Sequence, residues 1–291
     1  MKIAIVSRTP LAASPWELFK ALRKYTHHEV TLINQIYRYG DGRSFPYHML
    51  LNSPNGDGFS ALKNADIWHV HNYWIQELDQ FNKRPLVLGQ LHSLPRLGSW
   101  RALIDRSDIA YTIKQPGQEK EYNLPGLPNL IDPHEYYPMR RTDKIRIAFA
   151  PTTKRPPNLT DSKGYYEVKN ILAAVARERD IEIVWIEGKP YKENLKLKQS
   201  AHILIDDVVT GNWHRTSLEG ACFGCAVINK VQKIPFVYAN LKTLKDRLLW
   251  LIDDPVMLFD MQEQARLWVL QEWHAIDMVK EYTNAYRRLA A

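Results

Sequence analysis

Three carboxylates, Asp206, Asp207 and Glu219, fall within residues 203–228, ILIDDVVTGNWHRTSLEGACFGCAVI. An ionised carboxylate only accepts hydrogen bonds. The apolar run 203–205 ends at the two aspartates. A Gly-containing segment, 208–214, comes next, then a helix-like segment carrying Glu219, then a second apolar run, 226–228. Strand, loop, helix and strand in this order predict a βαβ unit of a parallel sheet. In such sheets ligands sit where loops leave the carboxyl ends of strands and helix N-termini point at them. The main ligand is expected here, with Glu219 at its edge.

Histidines form a second group. The strands predicted over 65–73 (ADIWHVHNY) and 86–93 (LVLGQLHS) each end in His, which suggests a cleft lined by imidazoles. His69 and His71 point the same way on a strand, but neither a carboxylate nor a Cys completes a ligand set, so no metal is expected. His92 alone also fits a buried structural histidine. Cys222 and Cys225 are formally C-x-x-C, yet with no further ligands they read as core-packing residues rather than a redox or zinc site. Residues 37–60 carry Arg38, Arg43, Tyr37 and Tyr47 between Gly-Asp turns. They make either an acceptor-side surface or an ordered surface excursion, and their aspartates lack the spacing of a calcium loop.

The elements that must position these groups repeat twice. A strand over 2–6, apolar after Lys2, a loop of small residues and prolines, 7–15, and a helix over 16–25 open the chain, with Ser14 expected as N-cap. There is no GxGxxG, so a dinucleotide site is not supported. Prolines and arginines mark a domain boundary near 133–143. The pattern restarts with a strand over 145–150, a loop carrying Lys154 and Arg155, and a helix opening at Lys163-Gly164. Helices are predicted over 241–253, 255–272 and 275–291. The expected domains are 1–138, 139–274 and a C-terminal helix, 275–291, which can pack back on the first.

At 291 residues the chain is long enough for two domains. No apolar run approaches the ~18 residues that span a bilayer. Two cysteines fit a reducing, cytoplasmic compartment. The net charge of +7 favours phosphates or polyanions as ligands. It is spread out, however: residues 1–133 hold 15 Lys and Arg against 12 Asp and Glu, and residues 134–291 hold 24 against 20. Without a basic stripe, nucleic acid is permitted rather than indicated.

Five motifs in order resemble the retaining glycosyltransferase family often called GT4. They are residues 65–71 (ADIWHVH), Leu91-His92, residues 127–132 (LPNLID), Ser162-Lys163-Gly164 and residues 218–228 (LEGACFGCAVI). The short length and the YGDGRSFP stretch are also similar to compact phage-encoded members. The resemblance implies an α/β fold of the GT-B type, two Rossmann-like domains facing across a cleft. It implies transfer of a sugar from a nucleotide-diphosphate sugar, a UDP-sugar being favoured, with no prosthetic group and no metal. Lys163, with Lys154 or Arg155, would grip the pyrophosphate, where leaving-group charge builds in the transition state. Glu219 would accept from the ribose hydroxyls, and backbone N–H groups of Asn212, Trp213 and His214, with Gly211, would meet the sugar or phosphate. His92 would sit by the transferred sugar. Arg8, Thr9, Arg38, Arg43, His71, Asn72 and Asn129 would face the acceptor.

Two departures stand out. The family pairs Glu219 with a second glutamate eight positions earlier, where this chain has Gly211. The family's Gly-Gly in the first loop is replaced here by Ala12-Ala13, whose small side chains partly substitute. The acceptor implied by the phage resemblance is a hydroxymethylated base in double-stranded DNA, acted on in the host cytoplasm. A glycan, a small molecule or a protein is the alternative. A degenerate GT-B domain that binds nucleotide or DNA without transfer is the competing class. An epimerase or phosphorylase is the weakest reading.

Overall fold

The computed structural model describes residues 1–93, 100–151, 163–233 and 235–291. The chain divides into two compact units, Met1–Asp132 with Ala275–Ala291, and Pro133–His274. Residues 133–138, expected in the first domain, belong to the second unit. The Arg266 guanidinium holds them there, donating to the carbonyls of Pro133 and Tyr136 at 2.9 and 2.8 Å. The Tyr136 hydroxyl also meets that of Tyr191 at 3.1 Å.

In chain order the first unit contains β1 (Lys2–Ser7), α1 (Ser14–Tyr25), β2 (Glu29–Asn34), β3 (Met49–Leu50), α2 (Asp57–Lys63), β4 (Ile67–His71), β5 (Leu86–Leu91), α3 (Arg101–Arg106), β6 (Ile109–Ile113), α4 (Pro116–Tyr122) and β7 (Gly126–Leu127). The second holds β8 (Ile145–Phe149), α5 (Tyr165–Glu178), β9 (Ile181–Trp185), α6 (Tyr191–Gln199), β10 (Ile203–Ile205), α7 (Arg215–Cys222), β11 (Ala226–Asn229), β12 (Val237–Tyr238), α8 (Leu244–Asp253) and α9 (Pro255–Gln271). Helix α10 (Ala275–Ala290) returns to the first unit.

Each unit is built on a parallel sheet, as the continuous apolar runs predict. The orders are β3-β2-β1-β4-β5-β6-β7 and β12-β11-β10-β8-β9. Parallel strands covered on both faces bury every residue, and β4 is buried along its whole length. In the first sheet the chain runs outward from β1 to β3, then returns to the other side of β1 with β4. In the second it goes from β8 to β9 and returns beside β8 with β10. The two switch points, β1/β4 and β8/β10, are where neighbouring loops diverge and leave room for a ligand.

Residues 37–60, expected as loop, include β3 and the start of α2. The two residues of β3 pair with β2 and form the edge of the sheet, too short a segment to show a period of two. Ser14 starts α1 instead of capping it. Its hydroxyl donates to Asn129 Oδ1 at 3.1 Å, and Ala13 takes the cap position in a left-handed conformation. Helix α10 lays Val279, Tyr282, Tyr286 and Leu289 into the core cluster that contains Ile3, Ile5, Leu18 and Leu22. Its apolar face is wide and continuous, so burial of that stripe supplies most of its stability.

Candidate functional site

The β8/β10 switch point gathers the charged residues of the second unit. Lys163 immediately precedes Gly164, which caps α5 with φ +72° and where a Cβ would lie 2.9 Å from Leu241 Cδ2. That pairing of left-handed backbone and crowding leaves glycine as the residue that fits. The Lys163 ammonium lies 2.6 Å from Asp206 Oδ1 and 3.4 Å from Thr216 Oγ1. Both ion-pair partners are buried. Asp206 Oδ2 also accepts from the His214 N–H and the Ser217 hydroxyl, at 2.8 and 2.7 Å. Burial alone would raise the Asp206 pKa. The Lys163 ammonium and these hydrogen bonds outweigh it and hold the carboxyl below its ordinary range.

Asp207 closes the next loop. Its carboxylate accepts from the N–H groups of Val209 and Thr210 at 2.8 and 2.9 Å, from the Thr210 hydroxyl, and meets His214 Nε2 at 2.9 Å. Desolvation opposes its ionisation, but those bonds and the nearby imidazole depress its pKa strongly. The two aspartates therefore shape the 208–214 segment from below.

Of the residues expected to offer backbone N–H groups to a ligand, His214 has already given its own to Asp206. Trp213 is packed into an aromatic group with Phe236, Trp268 and Trp273, and the Lys233 ammonium sits 4.7 Å from its ring. Asn212 makes no hydrogen bond among the described residues. Gly211, at φ +82°, has only the Lys230 carbonyl within reach of an added Cβ, at 3.6 Å, so it marks open space reached through a left-handed backbone. Lys154 and Arg155 lie outside the described residues.

Glu219 sits inside α7, 2 % exposed. Its Oε2 accepts from Lys198 at 2.6 Å and its Oε1 pairs with Arg215 at 3.1 Å. Arg215 precedes Glu219 by four residues, one helical turn, a spacing the sequence displays. Lys198 comes from α6 and gave no sequence signal. Lys163 and Glu219 thus each carry a structural ion pair, and a ligand must engage them in that state. A carboxylate has about four lone-pair sites, so two acceptor positions of Glu219 stay chemically open.

Cys222 and Cys225 are buried thiols outside any disulfide. Burial pushes the Cys225 thiol up to about 11, against the pull of Arg141, and its Sγ donates to the Ala201 carbonyl at 3.2 Å. Among the described residues no cluster of three or more His, Cys, Asp or Glu side chains is placed to hold a metal ion.

The β1/β4 switch point organises the first unit. Leu11, Ala12 and Ala13 all have positive φ, at +46°, +52° and +69°. The loop therefore takes the backbone shape glycines adopt freely, at a cost of roughly 1–2 kcal/mol per residue with a Cβ. Asn72, also left-handed, accepts the His92 N–H at 2.6 Å and donates to Ser93 Oγ at 3.1 Å, so it staples the end of β4 to the end of β5.

The histidines share one face of the sheet. His69 stacks on His71 with centroids 4.3 Å apart, and His71 Nδ1 lies 2.7 Å from His92 Nε2. Desolvation holds His69 and His92 near pKa 3 and His71 well below its ordinary value, with the neighbouring imidazoles adding to the effect for His69 and His71. All three are neutral at physiological pH, so each carries one N–H. His69 meets Gln90 Oε1 through Nε2 at 3.1 Å, which makes Nε2 the donor. Its Nδ1 then accepts from the Tyr286 hydroxyl at 2.8 Å. Gln90 is held in turn, donating to the Tyr282 hydroxyl at 3.0 Å.

His71 Nε2 is buried and has no hydrogen-bond partner among the described residues. A buried bare acceptor costs less than a buried unpaired N–H and is commoner. His71 therefore carries its proton on Nδ1 and donates to His92 Nε2. That leaves the His92 proton on Nδ1, so His92 presents an N–H donor. The sequence picked out His71 and His92, but Gln90, Tyr282 and Tyr286 were not assigned to the network.

The acceptor-side residues are not one cluster. Arg8 stacks on the Tyr73 ring at 5.6 Å, and the Thr9 carbonyl accepts from Ser7 Oγ. Arg43 pairs with Asp41 at 2.8 Å and covers the Tyr39 ring, and Arg38 bridges to Ser44 in the same excursion. Asn129 is 6 % exposed and tied to α1 through Ser14, which gives it a structural job.

No family model matches the sequence, and no curated protein does. Solved structures match over nearly the full chain. Sucrose-phosphate synthase from Thermosynechococcus elongatus aligns with a TM-score of 0.67 at 12 % identity, covering 99 % of each chain. HepE of Anabaena, solved with UDP-glucose, aligns at 0.64 and 10 %, covering 99 % of this chain and 100 % of that one. The catalytic domain of starch synthase IV from Arabidopsis thaliana, bound to ADP and acarbose, aligns at 0.64 and 11 %, covering 99 % of each. The chain has the α/β fold of the GT-B glycosyltransferases, with two units each carrying a parallel sheet. At this identity the likeness establishes architecture, and chemistry must be argued from the residues.

Proposed function

We propose that this chain is a metal-independent, retaining glycosyltransferase of the GT4 kind. It moves a sugar from a nucleotide-diphosphate sugar, a UDP-sugar by preference, to an acceptor hydroxyl. The observation that carries the reading is the β8/β10 switch point, where Lys163 is held by Asp206 beside a loop that leaves Gly211 and Asn212 open. The UDP-glucose in the HepE structure and the ADP in the starch synthase structure support the donor class.

In this reading the leaving diphosphate gathers charge as the bond to the anomeric carbon breaks. A cation already oriented by Asp206 meets that charge without reorganising, which lowers the barrier more than it aids ground-state binding. Asn212 and the Gly211 backbone contact the phosphate or sugar. Glu219, fixed by Lys198 and Arg215, offers its unused lone pairs to the ribose. In the first unit His92, with its proton on Nδ1, offers an N–H donor to a ligand bound there.

The test is calorimetric binding of UDP-, GDP- and ADP-sugars, with release of nucleoside diphosphate followed by coupled assay. The Lys163→Met variant should lose turnover by roughly 10²-fold or more, as removal of a group stabilising developing charge does elsewhere. Neither binding nor turnover with any donor would overturn the reading. Binding without turnover would favour a degenerate nucleotide-binding domain, for which the Glu-to-Gly departure at Gly211 speaks.

A further inference from the structure

The segment that leaves β11 carries a cation matched to indoles instead of a carboxylate. The Lys233 ammonium lies 4.7 Å from the ring centroid of Trp213, 5.5 Å from that of Trp268 and 5.8 Å from that of Trp273. All three distances fall within the roughly 6 Å over which an aromatic face attracts a cation, and tryptophan is the strongest aromatic partner. Lys233 forms no ion pair among the described residues, so these rings are what its charge meets.

The rings come from separate places in the second unit. Trp213 stands just before the N-cap of α7, Trp268 lies in the last turn of α9, and Trp273 follows that helix. Trp268 stacks on Trp273 at 5.6 Å, and Trp213 meets both edge-on, at 6.2 and 5.5 Å. Phe236 closes the group against Trp213 and Trp268, at 5.7 and 5.3 Å. The Trp268 indole N–H donates to Glu272 Oε2 at 3.0 Å, which fixes its ring. The four rings are between 5 and 8 % exposed. A cation facing such rings is partly stripped of water, and that strengthens the attraction.

Lys233 also ties together two loops. Residues 208–214 leave β10 and residues 230–233 leave β11, its parallel neighbour. At the base, the Lys230 N–H donates to the Asp207 carbonyl at 2.7 Å, and the Lys230 ammonium donates to the Val209 carbonyl at 2.8 Å. At the far end Lys233 covers Trp213, and the Phe236 N–H donates back to the Lys233 carbonyl at 2.9 Å. Gly211 and Asn212 lie between the two ties. Glycine has no side chain to hold its own backbone, so the ties on either side set where this stretch sits. Pinning both sides reduces the backbone entropy still to be lost when a ligand meets it.

We propose that the three tryptophans form a cation cage whose built-in occupant is Lys233, and that filling the cage positions the 208–214 loop. Lys233 acts through Trp213 and is a positioning residue. The cage selects charge and small size, so it takes a short alkylammonium ion when the lysine side chain is removed. The consequence for donor affinity rests on the glycosyl-transfer reading, whereas the ordering of the loop does not.

The test uses the full chain. Hydrogen exchange of residues 208–214 is followed by mass spectrometry in the parent and in Lys233→Ala, Lys233→Met and Lys233→Arg, with circular dichroism melts showing that each variant folds. Exchange should quicken about tenfold in the Ala and Met variants, as loss of one desolvated cation–π group implies, and stay close to the parent in Lys233→Arg. Propylammonium chloride should restore protection to Lys233→Ala, while propan-1-ol at the same concentration should not. A Met variant as protected as the parent, or equal rescue by the alcohol, means that the lysine stem merely packs as an apolar group, and overturns the cage. Rescue by neither compound, or exchange unchanged in all variants, overturns it too. Should Lys233→Ala unfold, the Met and Arg variants decide on the same readout. In a second arm, calorimetric affinity for UDP-glucose should fall in Lys233→Met and recover in Lys233→Arg. A loosened loop with unchanged affinity overturns the link to the candidate site. A parent that binds no nucleotide sugar counts against the glycosyl-transfer reading instead, and the exchange results still decide the cage.

Discussion

Replacing Lys163 with Met removes an ammonium buried against a buried carboxylate, with the two side chains 5 % and 0 % exposed. Asp206 then keeps only the His214 N–H and the Ser217 hydroxyl. Breaking a buried pair by deleting one partner typically costs about 3–5 kcal/mol, because the surviving charge is left uncompensated. The two hydrogen bonds that survive place this site toward the lower end. Urea unfolding, followed by a probe in the second unit, should therefore show a loss of about 3 kcal/mol at pH 7.

The pH dependence gives a second handle. In the parent, Asp206 titrates below its unfolded value, so its contribution is complete above about pH 4 and is lost as pH falls through the folded pKa. In the variant, burial without the ammonium lifts the folded pKa above the unfolded one. The folded carboxyl then takes up a proton first, and the gap between variant and parent should narrow as pH falls from 7 toward 4. Adding Asp206→Asn to Lys163→Met should recover much of the loss at pH 7, a coupling that a double-mutant cycle measures. A single variant within 0.5 kcal/mol of the parent, with a gap that does not change with pH, would refute the reasoning. Lys163 would then not be a buried, paired cation.

Three further outcomes follow from the same structure. ¹⁵N NMR of the histidines should show His69 protonated on Nε2 and His71 and His92 on Nδ1, with none of the three titrating between pH 8 and 5. Because their folded pKa values lie below the unfolded one, their contribution to stability should be complete above about pH 6.5 and shrink as pH falls below it. Tyr286→Phe leaves His69 Nδ1 buried without its donor and should cost about 1–3 kcal/mol in urea unfolding, whereas an exposed Tyr such as Tyr137 should tolerate the same change. Cys225, with its thiol raised to about 11, should react with a disulfide reagent at pH 8 only as fast as the protein unfolds, and fast labelling of the native state would contradict its burial.

Much of the fold was legible because parallel sheets announce themselves. Apart from Lys2 and Arg146, the runs KIAIV, IRIAF and ILI are apolar throughout, as strands covered on both faces tend to be, and each became a strand of its sheet buried over most of its length. The strong stripe of α10 was equally plain, with Tyr282 and Tyr286 one turn apart on its buried face. The loops were less so. Two residues of β3 and the seven of α2 carry too little periodicity to detect.

At the site, residue type marked His71, His92, Lys163 and Glu219 as chemically unusual for their strand-end and helix positions. It left their state undecided. A protonation state depends on burial and on partners distant in sequence, and those come only from folding. Lys198 reaches Glu219 from another helix, Asp206 meets Lys163 across the β8/β10 switch point, and Tyr286 reaches His69 from the C-terminal helix. The sequence by itself determined two parallel-sheet units and the residues able to do chemistry, because short-range patterning encodes both. Tertiary structure alone decided which charges neutralise each other, which imidazole nitrogen carries the proton and which cation the tryptophans surround, because each depends on side chains brought together from separate strands, helices and loops.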